Sequence, residues 1–145
     1  MNACFMFGNH DTCEAAYPLI ENEVERHITE YGVREFIVGR YGGFDRMAAR
    51  AVRSAKTLHP KARLTLLTPY LDNRPLPEGF DGAVYPDGLE AVPKRYAISR
   101  ANRAMIDACD YLIAFVAYGF GNAYQFLEYA KKRNKQIVNI GMQPY

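Results

Sequence analysis

The sequence predicts an α/β protein, a three-layer Rossmann-like sandwich built on a parallel five-stranded sheet of order 3-2-1-4-5. Three observations carry this expectation. Short apolar runs alternate with amphipathic helical patterns along the chain. The runs are apolar on both sides, which fits strands covered on both faces. Parallel neighbours need crossover connections, and intervening helices supply them.

Residues 3–7 form the first apolar run, which stops at Gly8. A helix follows from Pro18, a favoured first helical residue. Ile20, Val24, Ile28 and Tyr31 share one face of it, and Gly32 ends it. Residues 36–38 make the second strand, and the next helix is expected to bury Met47, Ala48, Ala51, Val52, Ala55 and Leu58. Residues 64–67 give the third strand, closed by Pro69. From 70 to 95 the texture changes: Pro75, Pro77, Pro86 and Pro93 fall there with three glycines. That stretch reads as an irregular insertion or lid within a single domain spanning 1–145. Alternation then resumes, with a helix at 96–108, a strand at 111–116, a helix at 122–133 and a last strand at 136–140.

At 145 residues, 49% hydrophobic and 23% charged, the chain is long enough to enclose one sizeable core. A formal charge of +2 is too small for bulk attraction to a nucleic acid backbone, so nucleic acid is not an expected partner. The KKRNK run at 131–135 reads as a solvated helix end, where cations are favoured. Cys4, Cys13 and Cys109 are odd in number and lack a CxxC pair, which argues against a disulfide framework or a zinc site. His10 and Cys13 are close, but nothing nearby completes a ligand set, so neither metal nor cofactor is expected. No apolar stretch approaches the ~20 residues that span a bilayer, and a reducing cytoplasm is the expected setting.

In wound sheets ligands bind beyond the carboxyl ends of the strands, where the strand order reverses. Here that point lies between the first and fourth predicted strands. Three strand ends meet at this edge. In FGNHDTC, Gly8 turns the chain, while Asn9, His10, Asp11 and Thr12 offer polar groups; Asp11 and Thr12 also read as turn caps, with Glu14 completing a capping-box-like pair. In GRYGGFD, Gly39, Gly42 and Gly43 leave backbone amides uncovered at a helix start, a welcome place for a phosphate or carboxylate. Asp45 would compete with a bound anion there, and is placed instead to take ribose hydroxyls. In AYGFGNAYQ, Gly119 and Gly121 follow the fourth strand and Asn122 stands at the expected cap. Two such turns grip a polyanion from two sides. On the helix between them, Ser99, Asn102, Arg103 and Ile106 share a side. Arg95, Arg100 and Arg103 lie near its start, where cations are electrostatically misplaced unless an anion or acids such as Asp107 and Glu90 stand nearby. Tyr41, Tyr70 and Tyr118 are candidates for stacking on a base.

Together GRYGGFDRMA, RANRAMIDACDYLIAFV and GFGNAYQFLE resemble the SLOG superfamily. These are Rossmann-like domains related to the LOG proteins, DprA and the DUF1273/YpsA group, and the resemblance lies in the order of the blocks. It implies binding of a nucleotide or an ADP-ribose-type molecule, as a sensor or signalling module. It also implies a homo-oligomer, which the many aromatics suit. LOG enzymes hydrolyse nucleoside monophosphates through a PGGxGTxxE turn. The matching turn here runs from Tyr118 to Gln125, with Gln125 at the acidic position and Asn102-Arg103 at the family's Arg-Lys pair. An amide neither acts as a base nor stabilises developing positive charge as a carboxylate does. The expectation is therefore ligand binding. The alternatives are an N-glycosidic hydrolase or deoxyribosyltransferase-like enzyme using Asp45, Asp11 or Glu128, and a DprA-like nucleic acid or protein adaptor.

Overall fold

A computed structural model describes residues 2–71 and 73–141. The principal elements are β1 (Ala3–Gly8), α1 (Tyr17–Tyr31), β2 (Glu35–Val38), α2 (Gly43–Ala55), β3 (Arg63–Leu67), β4 (Gly82–Val84), α3 (Ala97–Ala108), β5 (Tyr111–Phe115), α4 (Asn122–Lys132) and β6 (Gln136–Asn139). The sheet runs β4-β3-β2-β1-β5-β6 with every neighbouring pair parallel. It has six strands, not the five expected. The expected order holds for the other five, and β4 is added at the edge beside β3. This strand lies inside the stretch read as irregular. Short 3₁₀ turns at Leu89–Ala91 and Lys94–Tyr96 also order that stretch.

Alternation along β1 divides the interior in two, because successive strand residues point to opposite faces. Phe5 and Phe7 face the layer of α3 and α4, and join Ile106, Leu112 and Phe126. Phe7 meets the Phe126 ring edge-on at 6.2 Å. Cys4 and Met6 face the layer of α1 and α2, among Ile20, Val24, Phe36, Phe44 and Val52. Burying a side chain of this size contributes about 1.5–3 kcal/mol. Two such layers hold the sheet from both sides. Helix α1 begins with Pro18 in its first turn and ends at Gly32, whose φ of 68° closes the helix.

α2 stops at Ala55, so Leu58 lies past its end and is 77% exposed rather than buried as expected. Cys4 and Cys109 are buried free thiols, while Cys13 is exposed. Among the described residues, no helix is long and apolar enough to cross a membrane, and no group of three or more metal-ligating side chains forms.

Candidate functional site

β1 pairs with β5 while the chain has gone the other way to β2, so the strand order reverses between β1 and β5. Their ends are tied by Asn9, which is buried. Its amide donates to Phe115 O at 2.9 Å, and its Oδ1 accepts from the Ala117 amide at 2.9 Å. Its carbonyl takes the Thr12 hydroxyl at 2.7 Å. The capping-box reading is therefore corrected: Thr12 bonds back to Asn9, and Glu14 pairs with Arg50 instead. Asn9 fixes both loops above the sheet. Its signal in the sequence was a lone amide directly after an apolar strand.

Above Asn9 lies a cavity of about 170 Å³. Phe7, Leu67, Pro69, Ile98, Ala101 and Phe126 give it apolar walls. Its polar rim brings together Gly8, His10, Gly39, Tyr41, Asp45, Asn102, Tyr118, Gly121 and Asn122. Nine of the residues singled out in the sequence thus converge here from three strand ends and α3.

The two glycine turns that look alike in sequence behave differently. At α2 the Gly43 amide is not free, because it donates to His10 O at 2.7 Å. A Cβ on Gly43 would stand 2.8 Å from both His10 O and Thr12 O. Gly42 packs against His10 itself. These glycines make room for the β1–α1 loop. Asp45 completes the arrangement by accepting the Tyr41 amide at 2.8 Å. In the first turn of α2 the leading amide is thus taken by the chain's own β1–α1 loop.

At α4 no side chain caps the helix. The first intrahelical bond runs from the Gln125 amide to Gly121 O at 3.1 Å. Asn122, Ala123 and Tyr124 therefore keep amides without a protein acceptor among the described residues. Gly121, with φ of 91°, leads into this end where it borders the cavity, and has open space where a Cβ would be. Free helical amides carry partial positive charge and attract anions.

Among the described residues, Asp45 is the one carboxylate bordering the cavity. Burial pushes its carboxyl up to about 7, against the lowering effects of the Tyr41 amide and Arg46. It therefore exchanges a proton near neutrality, as acid–base groups in active sites do. Asp11 stands outside, accepting the Tyr118 hydroxyl at 3.1 Å. Glu128 is further along α4, paired with Lys131 at 3.2 Å. Gln125 is exposed and does not border the cavity.

Other candidates lie elsewhere. Tyr70 donates to Lys94 O at 3.2 Å, and Gly119 lines a separate hollow beside β6. Arg100 and Arg103 are exposed and do not border the cavity; Arg103 sits over the Tyr129 ring, 5.4 Å from its centre. Asn102 alone represents the polar face of α3, its Nδ2 donating to Ile98 O at 2.8 Å. One feature was missed: Phe120, 70% exposed, lies 4.5 Å from Tyr118 between ring centres.

No protein-family model matches the sequence, and no curated protein does. Among solved structures the chain is similar to the molybdenum cofactor carrier protein MCP of Chlamydomonas reinhardtii, at TM-score 0.65 and 21% identity, over 99% of this chain and 79% of that one. It is also similar to DNA processing protein A (DprA) of Streptococcus pneumoniae, at TM-score 0.68 and 13% identity, covering 94% of this chain and 49% of that one. The chain thus spans about half the length of DprA. These likenesses show the fold alone, an α/β sandwich of Rossmann type.

Proposed function

We propose that the protein binds a nucleotide or nucleotide-derived molecule of the ADP-ribose type at the carboxyl edge of the sheet, as a carrier or sensor. The observation that carries this reading is the uncapped start of α4, its free amides turned towards an apolar cavity at the β1/β5 reversal. A phosphate suits the amides of Asn122 and Ala123. Asp45 and Asn102 stand where sugar hydroxyls would need partners. At about 170 Å³ the cavity is smaller than the ~300–1,000 Å³ of ordinary small-molecule sites. It therefore takes one end of such a molecule, and the base lies at the mouth against Tyr118 and Phe120. The named neighbour MCP carries a cofactor, which makes molybdenum cofactor a second cargo worth assaying.

Asn122→Asp separates binding from folding. A carboxylate in the first turn of α4 favours the helix by about 0.3–1 kcal/mol, yet repels an anion at the amides. With AMP, ADP and ADP-ribose as probes, wild type should gain melting temperature and the variant should gain little. Binding equal in both, or no shift with any of the three, refutes the reading.

A second reading has its own observation, the near-neutral carboxyl of Asp45 inside the cavity. It is hydrolysis of an N-glycosidic bond with Asp45 exchanging the proton. Chromatography of a nucleoside monophosphate incubation tests it: free base from wild type and none from Asp45→Asn supports it, and no free base from either sinks it.

A further inference from the structure

Along α2, Arg46, Arg50, Arg53 and Lys56 recur every three or four residues and so share one side of the helix. Two of them have acids. Arg50 pairs with Glu14 and lies over the Tyr17 ring, 3.9 Å from its centre. Lys56 pairs with Asp81 at 2.5 Å. The side chains of Arg46 and Arg53 make no hydrogen bond or ion pair among the described residues, and neither does that of Arg40 before the helix.

All three unpaired arginines border a hollow of about 510 Å³, floored by Met47, Leu66, Pro77 and Phe80. Gly79, at φ 91°, lets the turn after Pro77 lie against the stem of Arg53, where any Cβ would collide with it. Of the two carboxylates on the border among the described residues, Glu14 is engaged by Arg50, and Asp45 holds the Tyr41 amide and feels the charge of Arg46.

We propose that this hollow is a second binding site, for the phosphate chain of a di- or triphosphate. Three guanidinium groups without a direct ion pair around one concavity call for several negative charges, and guanidinium matches phosphate oxygens in paired hydrogen bonds. A single phosphate leaves most of that charge unanswered; a linked chain answers it. This proposal stands without the cavity reading. The two hollows share Gly39 and Asp45.

Inorganic tripolyphosphate is the probe, titrated calorimetrically at low salt. Arg46→Gln with Arg53→Gln, both exposed positions, should weaken binding by about tenfold or more, the equivalent of losing charge-assisted contacts. Lys131→Gln with Lys132→Gln should leave it unchanged. Undiminished binding in the arginine variant overturns the proposal, and so does an equal loss in the lysine variant, which would mean diffuse attraction. Asn122→Asp keeps the two readings apart. Loss of AMP binding with tripolyphosphate binding retained supports the arginine site independently of the cavity. No tripolyphosphate binding by wild type that still binds AMP sinks the arginine site alone.

Discussion

Replacing Asp45 by asparagine is expected to stabilise the protein at pH 8 and to do nothing at pH 4. Burial raises this carboxyl from 3.8 to about 7. A difference of about 3 units, at 1.36 kcal/mol each, sets a ceiling of about 4 kcal/mol on the destabilisation caused by its charge. The side chain keeps partial contact with water at the cavity wall, and a charge in the first helical turn gains a little from the dipole. About 2 kcal/mol is the working figure. Asparagine retains an oxygen for the Tyr41 amide, so the bond at 2.8 Å survives the change. The sign follows from proton counting. Between pH 4 and 7 the folded chain holds a proton that the unfolded chain has released. Wild-type stability therefore falls as pH rises through that window, and levels off above it. The variant lacks this loss. Urea denaturation at pH 4, 6 and 8 should show a gap that opens with pH and saturates, worth about 4–8 °C in melting temperature at pH 8. A gap independent of pH, or a variant less stable at pH 8, refutes the reasoning.

Two further outcomes test the packing. Gly43→Ala should lose about 2–3 kcal/mol, because the added methyl meets two backbone oxygens at 2.8 Å that cannot swing aside; a midpoint within error of wild type in denaturant would contradict this. His27 is fully buried, with Nδ1 2.8 Å from Glu23 O and Nε2 unpartnered, and desolvation lowers its pKa below 6.5. Below pH 6.5 the unfolded chain binds a proton that the folded one refuses, so stability should fall on acidification, and His27→Leu should flatten that slope between pH 7 and 5.

The inner strands were legible because each is covered on both faces and so reads as an unbroken apolar run. β4 was not, for the complementary reason. It is three residues at a sheet edge, its Ala83 exposed, between prolines, and carries no pattern to recognise. The site was half legible. Local sequence shows that Gly39–Gly43 and Gly119–Gly121 are permissive turns, but what a glycine meets is decided by a distant loop. Gly43 meets His10 and Thr12, and Gly121 meets nothing. Helix phase misled in the same way at α3. Asn102 and Arg103 are adjacent, yet about 100° apart around the axis, so one borders the cavity and the other lies over Tyr129. The α2 arginines passed unnoticed because their acids, Glu14 and Asp81, are remote in sequence. Only coordinates tell which cations are left over.

A helix start without a capping side chain forgoes about 1 kcal/mol that a serine or aspartate would contribute. A carboxylate pushed to about 7 forgoes more. Each alone is an ordinary imperfection of a protein that needs only marginal stability. Both border the same cavity, however, at the one place where the strand order reverses. Meanwhile α2, built from a nearly identical turn, has its leading glycine amide occupied and Asp45 bound to the backbone before it. The same chain that occupies the leading amide of one helix leaves that of the other unfilled beside the cavity. Local sacrifices of stability that converge on one concave site are what binding or catalysis demands of a fold. A ligand that fills the α4 amides and meets Asp45 in its protonated form should therefore recover at the site what the empty fold gives up there.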